Sequence, residues 1–202
     1  MGNWGTEIQG CYCDNCIRLF NEKYGLSLTR AQLAEATEST DQPNEICKKW
    51  IQFNCDKVTR FMKETQVPGM TSGIMVMHNG GPIHGISISD IKKAVPDCIF
   101  RVGELHFDDK SYTKPGGRES LSASVRNHLA LIGDNPAYSE STVFPASALS
   151  PENLVDKMKL EISLGLRRLF VMSGSWFMSD IYWETIAAHL QELNELAEQP
   201  DA

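Results

Sequence analysis

From residue 73 onward, short apolar runs alternate with amphipathic helical patterns, and this alternation limits the folds open to the chain. Four runs have the length and apolar character of strands: 73–77, 98–102, 137–143 and 168–172. Helical patterns follow each run, at 89–95, 118–131, 150–165 and from Ser179 towards Glu198. Strands separated by helices pair in parallel through right-handed crossovers. The sequence therefore predicts an α/β fold with four strand–helix units.

Two parallel architectures fit this alternation, a doubly wound open sheet and a (β/α) barrel. No glycine-rich phosphate-binding fingerprint follows the first strand, which disfavours the dinucleotide-binding form of the open sheet. Four units are also half of the eight that close a barrel. We expect one domain over 1–202, with four β/α units at 70–202.

Residues 1–69 carry a cysteine cluster and helical patterns instead of strands. The first helix follows the cluster and stops at Gly25, since glycine favours helix ends. Thr29 begins a second helix, with Gln32 placed as in a capping box. A longer helix is predicted from about Asn44 to Thr65.

Composition excludes several functional classes. The 202 residues include 26 acidic and 19 basic side chains, for a net charge of −7, and no Lys/Arg cluster stands out. Binding driven by phosphate neutralisation, and hence nucleic acid, is disfavoured. No apolar run reaches the length of a membrane span, and the first ten residues lack the pattern of a secretory signal. We expect a cytoplasmic protein that binds neither nucleic acid nor membrane.

Polar and aromatic residues follow the predicted strands at their carboxyl ends, where parallel α/β folds bind ligands. The candidates for substrate binding are His78, Asn79, His106, Tyr138 and Trp176. Taken singly, each of them also has an ordinary structural explanation. Their convergence at one end of the sheet predicts a ligand site there.

Glu140 is the most informative single residue, because it is the one acid in an otherwise uncharged run from Ala137 to Ala148. A carboxylate in such a run must be paired, hydrogen-bonded or functional. Hydrolysis of a glycosidic bond needs two carboxyl groups across the scissile bond. Glu140 is the predicted catalytic residue, with Glu104 as its complement and Trp176 as a flat face for a sugar ring.

Three cysteines at 11, 13 and 16 form the second strong signal. Three thiolates this close suit a soft tetrahedral ion such as zinc, and Cys13 and Cys16 have the common chelate spacing. The fourth ligand is left open between Cys47, Cys55, His78 and a segment outside the chain. A redox pair and plain thiols are the competing interpretations. The remaining cysteines are predicted to be small buried hydrophobes: Cys47, Cys55 and Cys98.

The cysteine string at 11–16, followed by Phe20 and Tyr24-Gly25, resembles a segment of β-galactosidase-like glycoside hydrolases. It also resembles a related, uncharacterised group of bacterial glycoside-hydrolase-like barrel proteins. The runs 101–104, 138–145 and 170–176 resemble strands six, seven and eight of that group. The resemblance covers nearly the whole chain. It implies that the chain is the second half of a (β/α)₈ barrel. The chain would begin just after strand four and would therefore be a truncated barrel.

The resemblance also implies residue roles. Glu140 matches the nucleophile on strand seven, whereas the general acid on strand four would fall before Met1, so the chain is expected to be inactive alone. The cysteines at 11, 13 and 16 match zinc ligands whose fourth partner is an upstream cysteine.

Three functional hypotheses follow. The first is a glycoside hydrolase acting on a carbohydrate. The second is a zinc-stabilised, non-catalytic half-barrel that binds sugar or persists as a remnant. The third is a metal-dependent enzyme that uses His78, Glu104 and His106. A half-barrel exposes sheet edges that invite pairing, so we also predict a homodimer.

Overall fold

The computed structural model describes residues 10–38, 43–103, 105–172 and 178–199. Contacts between residues divide the chain into two compact units. The N-terminal unit contains 1–72 and 81–96, and the C-terminal unit contains 73–80 and 97–202.

The N-terminal unit is helical in its described part. Its helices are α1 (Asp14–Tyr24), α2 (Arg30–Ala36), α3 (Glu45–Glu64) and α4 (Ile88–Ala94). The predicted helix ends are confirmed. Gly25 ends α1 in the left-handed conformation, and the Thr29 hydroxyl accepts from the Gln32 amide while the Gln32 side chain accepts from the Thr29 amide. Asn44 caps α3 by accepting from the Cys47 amide.

Aromatic side chains form the core of this unit and hold α1 against α3. Phe20 meets the edge of Trp50 at a ring distance of 5.1 Å, and Trp50 stacks on Phe53 at 5.4 Å. Phe20 and Trp50 are fully buried, as is Leu33 of α2. Because Cys16 and Ile17 of α1 belong to the same cluster, this packing fixes the first turn of α1.

The C-terminal unit contains short parallel strands. In one sheet, β1 (Gly73–Val76), β2 (Ile99–Val102) and β3 (Ala137–Tyr138) pair in that order. A second sheet pairs β4 (Ser141–Thr142) with β5 (Val171–Met172). The register places Arg101 of β2 between Met75 and Tyr138. These pairings bring residues from three separate stretches of sequence side by side.

The described part of the C-terminal unit contains the helices predicted at 118–131 and 150–165, preceded by a short helix that the sequence did not predict. Its helices are α5 (Asp109–Thr113), α6 (Gly117–Ile132), α7 (Pro151–Ser163), α8 (Asp180–Ala188) and α9 (Leu190–Glu198). The single last helix expected from the sequence is wrong, because the chain breaks at His189 into α8 and α9. In neither unit does a described helix combine the length and the apolar character that a membrane crossing requires.

The predicted half of a (β/α) barrel, with four strands in one curved sheet, is wrong. The described strands form a three-stranded and a two-stranded sheet. More of the described residues lie in helices than in strands. The run 137–143 does not act as one strand, since Ser139 and Glu140 separate β3 from β4. Moreover, α4 lies in the connection between β1 and β2 but packs against α3 of the N-terminal unit.

Candidate metal centre and strand-end site

The cysteine cluster of the N-terminal unit, which comprises Cys11, Cys13 and Cys16, is compact. Their Sγ atoms all lie within 4.8 Å of one another. Cys13 is the residue that caps the start of α1, and Cys16 lies in the first turn, so the helix start brings both side chains to one place. Cys13 is exposed, Cys11 is half-buried and Cys16 is buried. The cluster is thus anchored in the core on one side and reaches solvent on the other.

The thiols of the cluster differ in acidity. The pKa of Cys13 is lowered to about 7, chiefly by the backbone amide of Cys16 and then by the neighbouring thiols. Burial raises the pKa of Cys16. Lys57 of α3 opposes that effect, since its ammonium nitrogen donates to the Cys16 sulfur at 3.3 Å. Thiolates are the form of cysteine that binds metals. The acidic, exposed Cys13 and the Cys16 sulfur next to the Lys57 ammonium are therefore suitable metal ligands.

The spacing of the sulfurs fits zinc. With Zn–S bonds of about 2.3 Å, ligands in a tetrahedron lie about 3.8 Å apart, so small side-chain rotations bring the three sulfurs into range. The cluster can therefore hold a metal ion.

The structure answers the question of the fourth ligand in part. All six cysteines are described, and the group of neighbouring donors contains three of them. Cys47 and Cys55, two of the candidates, lie outside it and are buried, as is Cys98. The prediction that these three are buried is confirmed. Burial raises the pKa of Cys55 to about 12 and that of Cys98 to about 11, so they are poor metal ligands.

Glu140 lies in the C-terminal unit between two buried serines, in the break between β3 and β4. It is 8% exposed, and its Oε1 lies 3.4 Å from Nη2 of Arg101 on β2. Gly103, which directly follows β2, lies beside it, since a Cβ at that position would be in van der Waals contact with Glu140 Oε2 at 3.5 Å. Glu140 is therefore paired and sits beside the carboxyl end of β2.

The structure describes three of the other candidate residues at the strand ends. Tyr138 is half-buried on β3, next to Arg101 in the register, with the Arg168 guanidinium over its ring. Asn79 is exposed in a turn with a positive φ of 57°, and His106 lies in a left-handed segment with its Nε2 2.5 Å from Ser120 Oγ. Burial lowers the His106 pKa. Three candidates lie outside the described part of the chain: Glu104, Trp176 and the side chain of His78.

An open cavity of about 430 Å³ lies over the exposed face of the three-stranded sheet. Met75, Arg101 and Tyr138 point into it from neighbouring strands, with Phe170 at its border. The other face of β2 is covered, since Phe100 and Val102 are fully buried. Apart from Arg101 and the Tyr138 hydroxyl, the lining is apolar and aromatic. The cavity lies next to the Arg101–Glu140 pair.

A buried ion pair that the sequence analysis missed supports this region. Lys157 and Glu161 of α7 are fully buried, with Nζ and Oε1 3.7 Å apart. Lys157 donates to the Leu105 carbonyl at 2.9 Å, and Ser141 Oγ donates to Glu161 Oε2 at 3.1 Å. The pair thus ties α7 to Leu105 and to Ser141, which directly follows Glu140. The sequence does contain a signal for this pair, because the two opposite charges lie four residues apart on the apolar side of a helical pattern.

No family model matches the chain, and neither the curated proteins nor the solved structures contain a match. The resemblance to glycoside-hydrolase barrels therefore stays a prediction.

Proposed function

We propose that the protein binds one zinc ion through Cys11, Cys13 and Cys16. The observation that carries the proposal is the mutual approach of the three sulfurs, within 4.8 Å. Thiolates are soft ligands that select zinc over magnesium, calcium and manganese. Iron–sulfur clusters normally take four cysteines, and the three remaining cysteines lie elsewhere, so zinc fits the donor set better.

The proposed role of the ion is structural. The segment that carries Cys11 packs against the core of the N-terminal unit. The centre of the Tyr12 ring lies 5.0 Å from that of the Trp50 ring. The Tyr12 hydroxyl is hydrogen-bonded to Thr37 Oγ1 at 2.7 Å. Gly10 fits closely against Trp50, because a Cβ there would lie 3.0 Å from Nε1. A zinc ion would clamp this segment to the start of α1, adding a covalent-like link where a short segment packs on α3.

Metal analysis tests the zinc proposal. Protein purified without chelator is expected to contain about one zinc per chain, because a structural site binds tightly. Cys13→Ser should lower the content to about a tenth or less, since it removes a ligand. Cys47→Ala is the matched control, because Cys47 is a buried thiol of the same unit outside the cluster. Equal zinc in the wild type and Cys13→Ser would refute the proposal.

We also propose that the C-terminal unit binds a carbohydrate in the cavity over its three-stranded sheet. The supporting observation is the pairing of aromatic and charged groups there: Tyr138 and Phe170 line the cavity with Arg101, which contacts Glu140. Sugar rings stack their C–H faces on aromatic rings and hydrogen-bond their hydroxyls to charged side chains.

Glu140 is the proposed nucleophile if the bound sugar is hydrolysed. The Arg101 guanidinium favours its ionised form, which a nucleophile requires. Retaining hydrolysis needs a second carboxyl group about 5–5.5 Å away. Glu104, which adjoins Gly103 in sequence, is the candidate for that role.

Two measurements separate binding from hydrolysis. A panel of sugars is titrated against the protein by calorimetry, and Phe170→Ala is expected to weaken any binding about tenfold, as lost ring stacking of 1–1.5 kcal/mol implies. Phe61→Ala is the control, since Phe61 is an exposed phenylalanine of the N-terminal unit. Turnover of an activated aryl glycoside that disappears in Glu140→Gln would assign hydrolysis. Sugar binding that Phe170→Ala leaves unchanged would refute the site.

A further inference from the structure

We infer that the sugar bound over the three-stranded sheet is an acidic sugar, which carries a carboxylate or a phosphate group. The inference rests on the proposed carbohydrate site and names the class of its ligand. Two arginines lie next to one tyrosine on this part of the C-terminal unit. Arg101 of β2 is the neighbour of Tyr138 in the sheet register, and the Arg168 guanidinium lies over the Tyr138 ring, 5.8 Å from its centre.

Arg168 lies on the same side of the sheet as the cavity. The Ser139 amide donates to the Arg168 carbonyl at 2.9 Å. The Ser141 amide, two residues further on, donates to the Phe170 carbonyl at 3.1 Å. Because both segments advance by two residues, as in a parallel ladder, the side chains of Arg168 and Phe170 point to the same side. Phe170 and Tyr138 line the cavity, so the Arg168 guanidinium over Tyr138 lies at the edge of the cavity.

The charges at this edge favour an anionic ligand. Arg101 lines the cavity, and the Glu140 carboxylate lies 3.4 Å from its guanidinium. That pair is neutral as a whole, so the exposed Arg168 gives the three side chains one net positive charge. A guanidinium presents a planar fork of donors that matches a carboxylate or a phosphate. A neutral sugar makes no ion pair with this cation, whereas an acidic sugar does.

The aromatic rings and the cation are placed so that one molecule can contact both. Phe170 is 47% exposed at the border of the cavity, and Tyr138 lines it from β3. A pyranose ring stacks on such aromatic surface. In a uronic acid or a hexose 6-phosphate, the acidic group is carried on the carbon attached to that ring. Because Arg168 packs on the Tyr138 ring, the acidic group of a stacked sugar lies within reach of the guanidinium.

Matched pairs of sugars test the inference by calorimetric titration of the 202-residue chain. Galacturonate is compared with galactose and glucuronate with glucose, which report on a carboxylate. Glucose 6-phosphate is compared with glucose, which reports on a phosphate. At least one acidic sugar is expected to bind about fivefold tighter than its neutral partner, the effect of one exposed ion pair. High salt should remove the preference, because salt screens an exposed pair.

Variants of Arg168 test which cation is used. Arg168→Met is expected to remove the preference for the acidic sugar, since it removes the positive charge. Arg168→Lys should keep most of the preference, because it retains that charge. Arg126→Met is the matched control, since Arg126 is an exposed arginine of α6 that does not line the cavity. Arg101 is left in place in all variants, because it also contacts Glu140.

The contrary outcomes are distinct. Equal affinities within every pair, with binding that Phe170→Ala weakens, would overturn this inference and keep the carbohydrate site. A preference that persists in Arg168→Met, or that Arg126→Met removes equally, would also overturn it. Acetate that binds as tightly as galacturonate would show a site for any anion, and would overturn it as well. Absence of binding by every sugar would overturn the proposed carbohydrate site too.

Discussion

Removal of the Lys157 charge from the C-terminal unit should cost far more stability than removal of a surface charge. Lys157 and Glu161 are both fully buried, so Lys157→Met removes a cation that lies 3.7 Å from the Glu161 carboxylate in the interior. The same substitution removes the donor to the Leu105 carbonyl. The Glu161 carboxylate and the Leu105 carbonyl therefore both lose the Lys157 ammonium.

The expected cost follows from the burial. Breaking a buried ion pair by removing one partner typically costs about 3–5 kcal/mol, because the remaining charge is uncompensated. With a urea m-value of about 2 kcal/mol/M, the unfolding midpoint should fall by roughly 1.5–2.5 M. The double variant Lys157→Met with Glu161→Leu should recover most of the loss, since apolar replacement of a whole buried pair is often neutral or stabilising.

Urea unfolding followed by circular dichroism and by tryptophan fluorescence measures these effects. Lys159→Met is the matched control on the same helix, because Lys159 pairs with Glu192 at 2.6 Å but both remain partly exposed. Such pairs contribute at most about 1 kcal/mol. A cost below about 1 kcal/mol for Lys157→Met, or a double variant no more stable than the single one, would refute the reasoning.

Three further predictions concern single positions. In metal-free protein, iodoacetamide should alkylate Cys13 first, with a midpoint near its pKa of about 7, and spare Cys55, whose pKa burial raises to about 12; equal rates by mass spectrometry would contradict this. The lowered His106 pKa means that the unfolded chain binds the proton more tightly. Stability should therefore fall as pH drops through about 6.5 towards the folded pKa, and the fall should be smaller in His106→Gln; identical pH profiles of the urea midpoint would be the contrary result. Gly103→Ala should lower the melting temperature, because its Cβ would lie 2.8 Å from the Val76 carbonyl oxygen, whereas Gly73→Ala, with a nearest contact of 3.3 Å, should cost less.

Local signals in the sequence predict the helices well, because each acts within one turn. Thr29 and Gln32 make the reciprocal capping bonds that their spacing predicts. Asn44 caps α3, and Pro151 opens α7. In α2 and α3 the cap side chain accepts from the amide three positions on, so the pattern is visible without the tertiary structure.

The sheet could not be predicted as well, since pairing depends on residues far apart. Ser139 Oγ accepts from the Phe170 amide at 3.1 Å, and the Ser139 amide donates to the Arg168 carbonyl. The run 137–143 therefore changes neighbour at Ser139, and one expected strand becomes β3 beside β2 and β4 beside β5. Nothing in the alternation of residues marks that change.

The candidate sites show the same difference between local features, which the sequence predicts, and contacts between distant residues, which it does not. The three cysteines can be grouped from the sequence alone because they lie within six positions, 11–16. Lys57, which supports Cys16, lies 41 residues away and carries no mark of this role. Arg101 beside Glu140 also depends on strand register, although the isolated acid in an uncharged run indicated that Glu140 would be paired or functional.

X-ray absorption at the zinc edge of the purified 202-residue chain tests the central claim most directly. The account predicts a first shell with three sulfur scatterers at about 2.3 Å and one further ligand. In Cys13→Ser, the sulfur count should fall or the zinc should be lost. A first shell made of nitrogen and oxygen alone, or a protein that retains no zinc after gel filtration, would contradict the proposal that these cysteines form a metal centre.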